Sequence, residues 1–122
     1  MKKILIVDDS EEIRDLVTMT LRREDRQVIQ AKTGEEAVEL ARREKPDLIM
    51  MDIMMPGPVD GLEATRVLKG DVQTRDCKVI FLTAKGQTED LELGFKAGAD
   101  DYFVKPFSPL ALMKKVDALI GG

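Results

Sequence analysis

Four short apolar runs in this chain end on polar residues able to do chemistry. Asp8 and Asp9 follow Ile4-Leu5-Ile6-Val7, and Asp52 follows Leu48-Ile49-Met50-Met51. Thr83 follows Val79-Ile80-Phe81-Leu82, and Lys105 follows Tyr102-Phe103-Val104. In open α/β sheets, ligands bind beyond the carboxyl ends of the strands, so these five side chains would converge on one crevice. Three carboxylates held together repel: at about 4 Å and an effective dielectric near 20, each like-charge pair costs on the order of 4 kcal/mol. Protons, Lys105 or a divalent cation must offset that. An all-oxygen site with open positions suits Mg2+, which keeps several waters and binds through one or two carboxylates plus phosphate oxygens. A carboxylate beside Mg2+, with a lysine and a hydroxyl at hand for equatorial oxygens, is equipped to accept a phosphoryl group. Asp52, central and single, would be the nucleophile, with the metal and Lys105 stabilising the charge.

Each residue alone has a plainer role. Asp8 and Asp9 could cap the first helix, Asp52 could open a turn, Thr83 could be structural and Lys105 solvated. It is their joint placement at one predicted edge that points to a site. Met50, Met51, Met54 and Met55 read as core and rim packing, and Cys77 as a small buried residue without chemistry.

The elements that must position these groups are legible from periodicity. Continuous apolar runs, with Val28-Ile29 as a fifth, suggest strands covered on both faces, as in parallel sheets. Between them, Ile13, Leu16, Val17 and Leu21 recur at helical spacing after Ser10, a plausible cap. Thr33 and Glu36 fit a capping box before Ala37, Val38 and Ala41, and that helix must stop before Pro46. Leu62, Thr65 and Leu68 mark a third helix after Asp60-Gly61, and a fourth spans about 87–96 before a capping glycine, Gly98. A fifth carries Leu112, Met113, Val116, Leu119 and Ile120, with Ser108 as cap and Pro109 in its first turn. Strict alternation with right-handed crossovers gives an α/β fold, a parallel sheet between helices. Residues 70–78 read as the least structured stretch, a surface loop.

Composition narrows the function. At 122 residues the chain suits one domain over 1–122. It has no histidine, which excludes histidine acid–base catalysis and histidine metal ligands, and a single cysteine, which excludes an internal disulfide or a cysteine-cluster metal site. The formal charge of −4 argues against direct nucleic-acid binding. No apolar run approaches the roughly 18 residues of a membrane span, and Asp8-Asp9 arrive too early for a signal peptide, so a cytoplasmic location without membrane contact is expected.

These residues match a known pattern. The chain resembles, across essentially its whole length, the receiver domain of two-component response regulators, of the chemotaxis-regulator type. The motifs are Ile4 to Ser10 with Asp8-Asp9, Pro46-Asp47-Leu48 through Met51-Asp52-Ile53-Met54-Met55-Pro56, Leu82-Thr83-Ala84, and Gly98-Ala99-Asp100-Asp101-Tyr102 to Lys105-Pro106-Phe107. The resemblance implies a flavodoxin-like five-stranded parallel sheet of order 2-1-3-4-5 with helices on both faces. It implies that Asp52 accepts a phosphoryl group from a phosphohistidine of a sensor histidine kinase or phosphotransfer protein. Asp9, Asp52 and the Met54 backbone carbonyl would ligate Mg2+, with Asp8 holding a metal-bound water. Thr83 and Lys105 would bind the phosphoryl oxygens, and Tyr102 would be an aromatic switch turning inward as Thr83 moves. The output surface, strand 5 with helices 4 and 5 (roughly 86–96 and 101–120), would contact a downstream output domain or target protein. Such a protein is a phosphoacceptor that catalyses its own phosphorylation and dephosphorylation rather than an enzyme acting on a separate substrate.

Two departures stand out. The loop Pro56-Gly57-Pro58-Val59-Asp60-Gly61 carries one residue more than the usual pattern. The segment Asp100 to Pro109 looks like the receivers of winged-helix transcription factors, which dimerise through this face with ion pairs, yet Leu91 stands where that subgroup usually has an arginine; Lys115 could replace another basic partner, which leaves a phosphorylation-dependent homodimer open. By the same resemblance Met54 and Lys85, two residues after Asp52 and Thr83, would flank the path of a hydrolytic water, and an apolar Met54 then implies slow self-dephosphorylation. Other classes fit less well. A haloacid-dehalogenase-type hydrolase needs a second aspartate where Met54 stands, and a flavodoxin-like cofactor carrier needs hydroxyls and glycine where Asp8-Asp9 stand. A degenerate receiver acting as a phosphorylation-independent interaction module would not need the full set of Asp8, Asp9, Asp52, Thr83 and Lys105.

Overall fold

In a computed structural model, residues 1–53, 55–84, 88–105 and 108–121 are described, with the backbone alone at 84 and 88–91. Among them, strands β1 (Lys2–Val7), β2 (Arg26–Ala31), β3 (Leu48–Asp52), β4 (Lys78–Ala84) and β5 (Asp101–Lys105) alternate with helices α1 (Glu11–Leu21), α2 (Gly34–Glu44), α3 (Gly61–Gly70), α4 (Thr88–Ala97) and α5 (Pro109–Ile120). All strand pairs are parallel and the sheet order is β2-β1-β3-β4-β5.

Successive side chains of a strand point to opposite faces, and the core divides accordingly. Leu5, Val7, Ile49, Met51, Val79 and Phe81 pack with Ala37 and Ala41 of α2 and Ala64 and Leu68 of α3. Ile4, Ile6, Leu48, Met50, Ile80 and Leu82 pack with Val17 and Leu21 of α1 and Leu112, Val116 and Ile120 of α5. Two apolar layers on one sheet explain why the central strands read as unbroken hydrophobic runs: all of β3 is buried. The edge strand β5 departs from that reading. Its burial alternates, with Tyr102 and Val104 each 38% exposed, because no strand lies beyond it and α4 leaves these two side chains partly open.

Helix starts follow the expected chemistry. Ser10, Thr33, Asp60 and Ser108 accept from the backbone N–H three residues on, each worth about 1 kcal/mol. The capping box at α2 is shifted by one: Glu36 accepts from the Lys32 N–H at 3.0 Å, not from Thr33. The helix ends at Glu44, with Lys45 left-handed at φ 51° ahead of Pro46. Gly98 follows α4 at φ 111°; Gln87, expected at its start, lies outside the described residues. Residues 71–77 form no helix or strand and are mostly exposed, as a surface loop, but they are tied down internally. Asp71 accepts from the Gln73 N–H at 2.9 Å, and the buried Thr74 hydroxyl donates to the Leu68 carbonyl at 2.7 Å, so the turn caps α3 and hands the chain to β4. Cys77 is buried there as a free thiol.

Candidate functional site

The parallel sheet delivers the polar residues to one edge. Asp8 and Asp9 leave β1, Asp52 is the last residue of β3, Thr83 the penultimate of β4 and Lys105 the last of β5. Three of the five thus lie inside the strands rather than just past them, because the ladders run further than the apolar runs: Asp52 pairs with Leu82, Thr83 with Val104 and Ala84 with Lys105.

Oxygens of Asp8, Asp9 and Asp52 lie within 4.8 Å of one another. Asp8 and Asp52 are buried, whereas Asp9 is exposed, so the cluster opens to solvent on one side. Lys105 Nζ donates to Asp8 Oδ2 at 2.9 Å and sits 3.7 Å from Asp52 Oδ1. Asp8 Oδ1 also accepts from the Ser10 N–H at 2.9 Å. One carboxylate therefore helps turn the chain into α1 and anchors the ammonium, so its helix-start role and its site role coexist. Thr83 is buried at 1% exposure on the same edge.

This donor set fits a hard divalent cation: all ligand atoms are oxygen, three carboxylates lie together with Lys105 paired to two of them, and one carboxylate faces water. The Met54 carbonyl, expected among the ligands, lies outside the described residues, as do Lys85, Pro106 and Phe107; for Ala84 and Leu91 the same is true of the side chains.

Tyr102, the expected switch, is partly exposed and meets Phe95 of α4 edge-on, with ring centroids 6.0 Å apart. Lys115 pairs with Asp101 of its own chain at 3.1 Å and lies 5.6 Å from the Phe103 ring centre.

The longer loop after β3 absorbs its additional residue outside the packed structure. Met55 is buried, Pro56, Gly57 and Pro58 are exposed with Gly57 at φ 100°, and Val59 returns to the core. A positioning role for Gly61 was not read from the sequence. A Cβ there would lie 2.2 Å from the Asp52 backbone oxygen, so α3 approaches the phosphoacceptor candidate more closely than any side chain permits. The available signal was a glycine, a poor helix former, opening a helix directly after the carboxyl edge of a central strand.

Comparison with known proteins agrees with this geometry. Residues 4–117 match the family model described as response regulator receiver domain. The chain is 43% identical to protein PilH of Pseudomonas aeruginosa over 122 residues, all of both chains. It spans about half the length of the transcriptional regulatory proteins it also matches. Among solved structures it is similar to the chemotaxis response regulator CheY4 of Vibrio cholerae, with TM-score 0.89 and 33% identity over 98% of both chains. It is also similar to the receiver domain of the sensor histidine kinase PA1611 of P. aeruginosa, with TM-score 0.88 and 32% identity, covering 99% of this chain and 98% of that one. That structure has a magnesium ion coordinated in its active site cleft.

Proposed function

Because this chain belongs to the response regulator receiver family of two-component signalling, we propose that residues 1–122 act as one receiver domain that is phosphorylated on Asp52. A carboxylate oxygen of Asp52 forms the new O–P bond while the P–N bond to a kinase phosphohistidine breaks, its electron pair leaving with the imidazole nitrogen. The chain supplies no histidine of its own, so the donor is a partner protein. Asp8, Asp9, Asp52 and the Met54 carbonyl would hold Mg2+, Asp8 through water. When bound, the ion neutralises charge on the transferring phosphoryl oxygens. Lys105 serves the same oxygens from the other side, moving from its pairing with Asp8 and Asp52. Thr83 donates its hydroxyl to them.

The switch follows from charge. Phosphorylation replaces a carboxylate with a larger, oxygen-rich anion that competes for Thr83 and Lys105. Thr83 and Tyr102 stand on adjacent strands, Thr83 beside Val104 in register. Movement of Thr83 would free space for Tyr102 to leave Phe95 and turn inward, changing the face formed by α4, β5 and α5 that meets a downstream domain or target. The Lys115–Asp101 pair lies on that face within one chain, and a phosphorylation-dependent homodimer would have to exchange or retain it.

The observation that carries this reading is the clustering of three carboxylates, two of them paired with Lys105, at the carboxyl edge of the sheet. The test is the intact mass after incubation with acetyl phosphate, with and without Mg2+, for the wild type and Asp52→Asn. One added phosphoryl group that requires both metal and Asp52 is expected. No adduct in a protein that binds the ion would leave a phosphorylation-independent interaction module.

A further inference from the structure

We propose that Arg14 is a positioning residue for the metal-binding carboxylates, acting through the peptide that joins Asp8 to Asp9; this rests on the reading of the site given above. Asp9 is exposed, and among the described residues no hydrogen bond or ion pair holds its carboxylate. Where that carboxylate sits is therefore set by its backbone, and the plane of the Asp8–Asp9 peptide is the last fixed unit before it. The oxygen of that peptide accepts from Arg14 Nη1 at 2.8 Å.

The guanidinium is itself braced. Arg14 Nε donates to Gln30 Oε1 on β2 at 3.1 Å. Gln30 Nε2 in turn donates to Thr18 Oγ1 at 2.8 Å and to Asp15 Oδ1 at 3.4 Å, and Thr18 Oγ1 donates back to the Arg14 carbonyl at 2.7 Å. The preceding ladder bond, Asp8 N–H to the Ala31 carbonyl at 3.2 Å, holds the other side of Asp8 to β2. Asp8 is thus fixed at its N–H, its carbonyl and both carboxylate oxygens. The peptide feeding Asp9 cannot rotate without breaking the Arg14 bond. The planar fork of arginine can make both of its bonds at once, which a lysine cannot. Partners that orient metal ligands are typically worth 10–100-fold in metal affinity.

Two other roles make opposite or null predictions. A guanidinium acting only through its charge repels a cation, so neutralising it would tighten metal binding. A purely structural Arg14 would alter folding stability and leave the affinity of the folded protein unchanged. The experiment measures Mn2+ binding to the full chain by electron paramagnetic resonance, with Mg2+ as competitor and the metal-free melting temperature recorded for each variant. Arg14→Gln is expected to bind about tenfold more weakly. Arg14→Lys, with the charge kept and one bond lost, should fall between it and the wild type. Gln30→Leu, which unbraces the guanidinium without touching the site, should weaken binding in the same direction, and it carries the test if Arg14→Gln does not fold. Raising the metal concentration should restore the rate of Asp52 phosphorylation in each variant that folds. Unchanged or tighter Mn2+ binding in Arg14→Gln or Gln30→Leu would overturn the proposal. A wild type that binds no Mn2+ would instead overturn the metal reading on which it rests.

Discussion

The two ends of the parallel sheet use charge in opposite ways. At the amino ends of the strands, carboxylates are matched with donors. Asp47 accepts from the Lys3 N–H at 2.8 Å, and the Lys3 ammonium reaches Glu44 at 3.3 Å. Asp100 accepts from the Val79 N–H at 2.8 Å and from Lys69 at 3.1 Å. The buried Arg26 pairs with Asp117 of α5, and Arg42 meets Asp71 at 2.9 Å. At the carboxyl ends, among the described residues, three carboxylates crowd together and only two of them meet the Lys105 ammonium. Matched charge satisfies backbone groups and joins elements, so it reads as structure. Crowded like charge, half buried, costs stability unless something binds there, so it reads as function. Substitutions at the two ends should therefore separate stability from phosphorylation.

The largest effect is expected where the two roles meet. Gly61→Ala places a Cβ 2.2 Å from the Asp52 carbonyl oxygen and 2.9 Å from the Ile53 Cα, both backbone atoms that cannot swing away. Relief requires α3 or the end of β3 to shift, at about 3 kcal/mol by the usual cost of overpacking. Because the shift falls on Asp52 itself, urea denaturation and the acetyl phosphate reaction should both be impaired. A loss of stability with an unchanged phosphorylation rate would show that the carboxyl edge tolerates displacement.

Next comes a pair with opposite signs. Asp100→Ala removes the acceptor of the Val79 N–H and the counter-charge of Lys69, and should cost about 2 kcal/mol by leaving a part-buried donor unmade. Phosphorylation of the folded fraction should be untouched. Asp9→Asn removes one of the three crowded charges and should stabilise the metal-free protein by about 1 kcal/mol, the small size reflecting solvent screening of an exposed group. It should also abolish any rise in melting temperature on adding Mg2+, which in a protein that binds the ion amounts to about 1.4 kcal/mol at ten times the dissociation constant. Both contrasts are read by thermal melts with and without EDTA. Equal destabilisation by the two substitutions would erase the distinction between the ends.

How much of this was visible in the chain depends on the range of the interaction. The strands and helices were legible because their signals are local: Ser10, Thr33, Asp60 and Ser108 start helices, and unbroken runs such as Leu48-Ile49-Met50-Met51 mark strands buried on both faces. The convergence of Asp8, Asp9, Asp52 and Lys105 was legible because parallel topology sends every strand end to one edge. What the sequence concealed was contact between elements. Nothing local marks Gln30 as the brace of Arg14, nor Asp100 as the partner of Lys69, since the partners stand 16 and 31 positions apart. The 71–77 stretch is the surface loop expected, but its internal bonding was hidden for a related reason. Its polar residues suggest solvent, yet Thr74 is buried because its hydroxyl completes a carbonyl left over by α3.

The smallest expected effect is the acid dependence contributed by the amino end. The Gln73 backbone N–H, then Arg42, hold the Asp71 carboxyl below its ordinary value of 3.8, and the Lys3 hydrogen bond and charge hold Glu44 below 4.5. A carboxylate with a depressed folded pKa binds its proton later in the native state than in the unfolded chain. The unfolded chain therefore takes up protons first as pH falls. The stabilisation is complete above the unfolded values, starts to fade near pH 4.5, and is gone once the folded values have been passed. Asp71→Asn with Glu44→Gln should flatten this part of the stability-versus-pH curve, measured by urea denaturation between about pH 3 and pH 6. Both groups lie at the surface, so the change should be modest and reduced by salt. The same double substitution should leave Mg2+ dependence and phosphorylation as in the wild type, because every bond it removes belongs to the end of the sheet where charge is already matched.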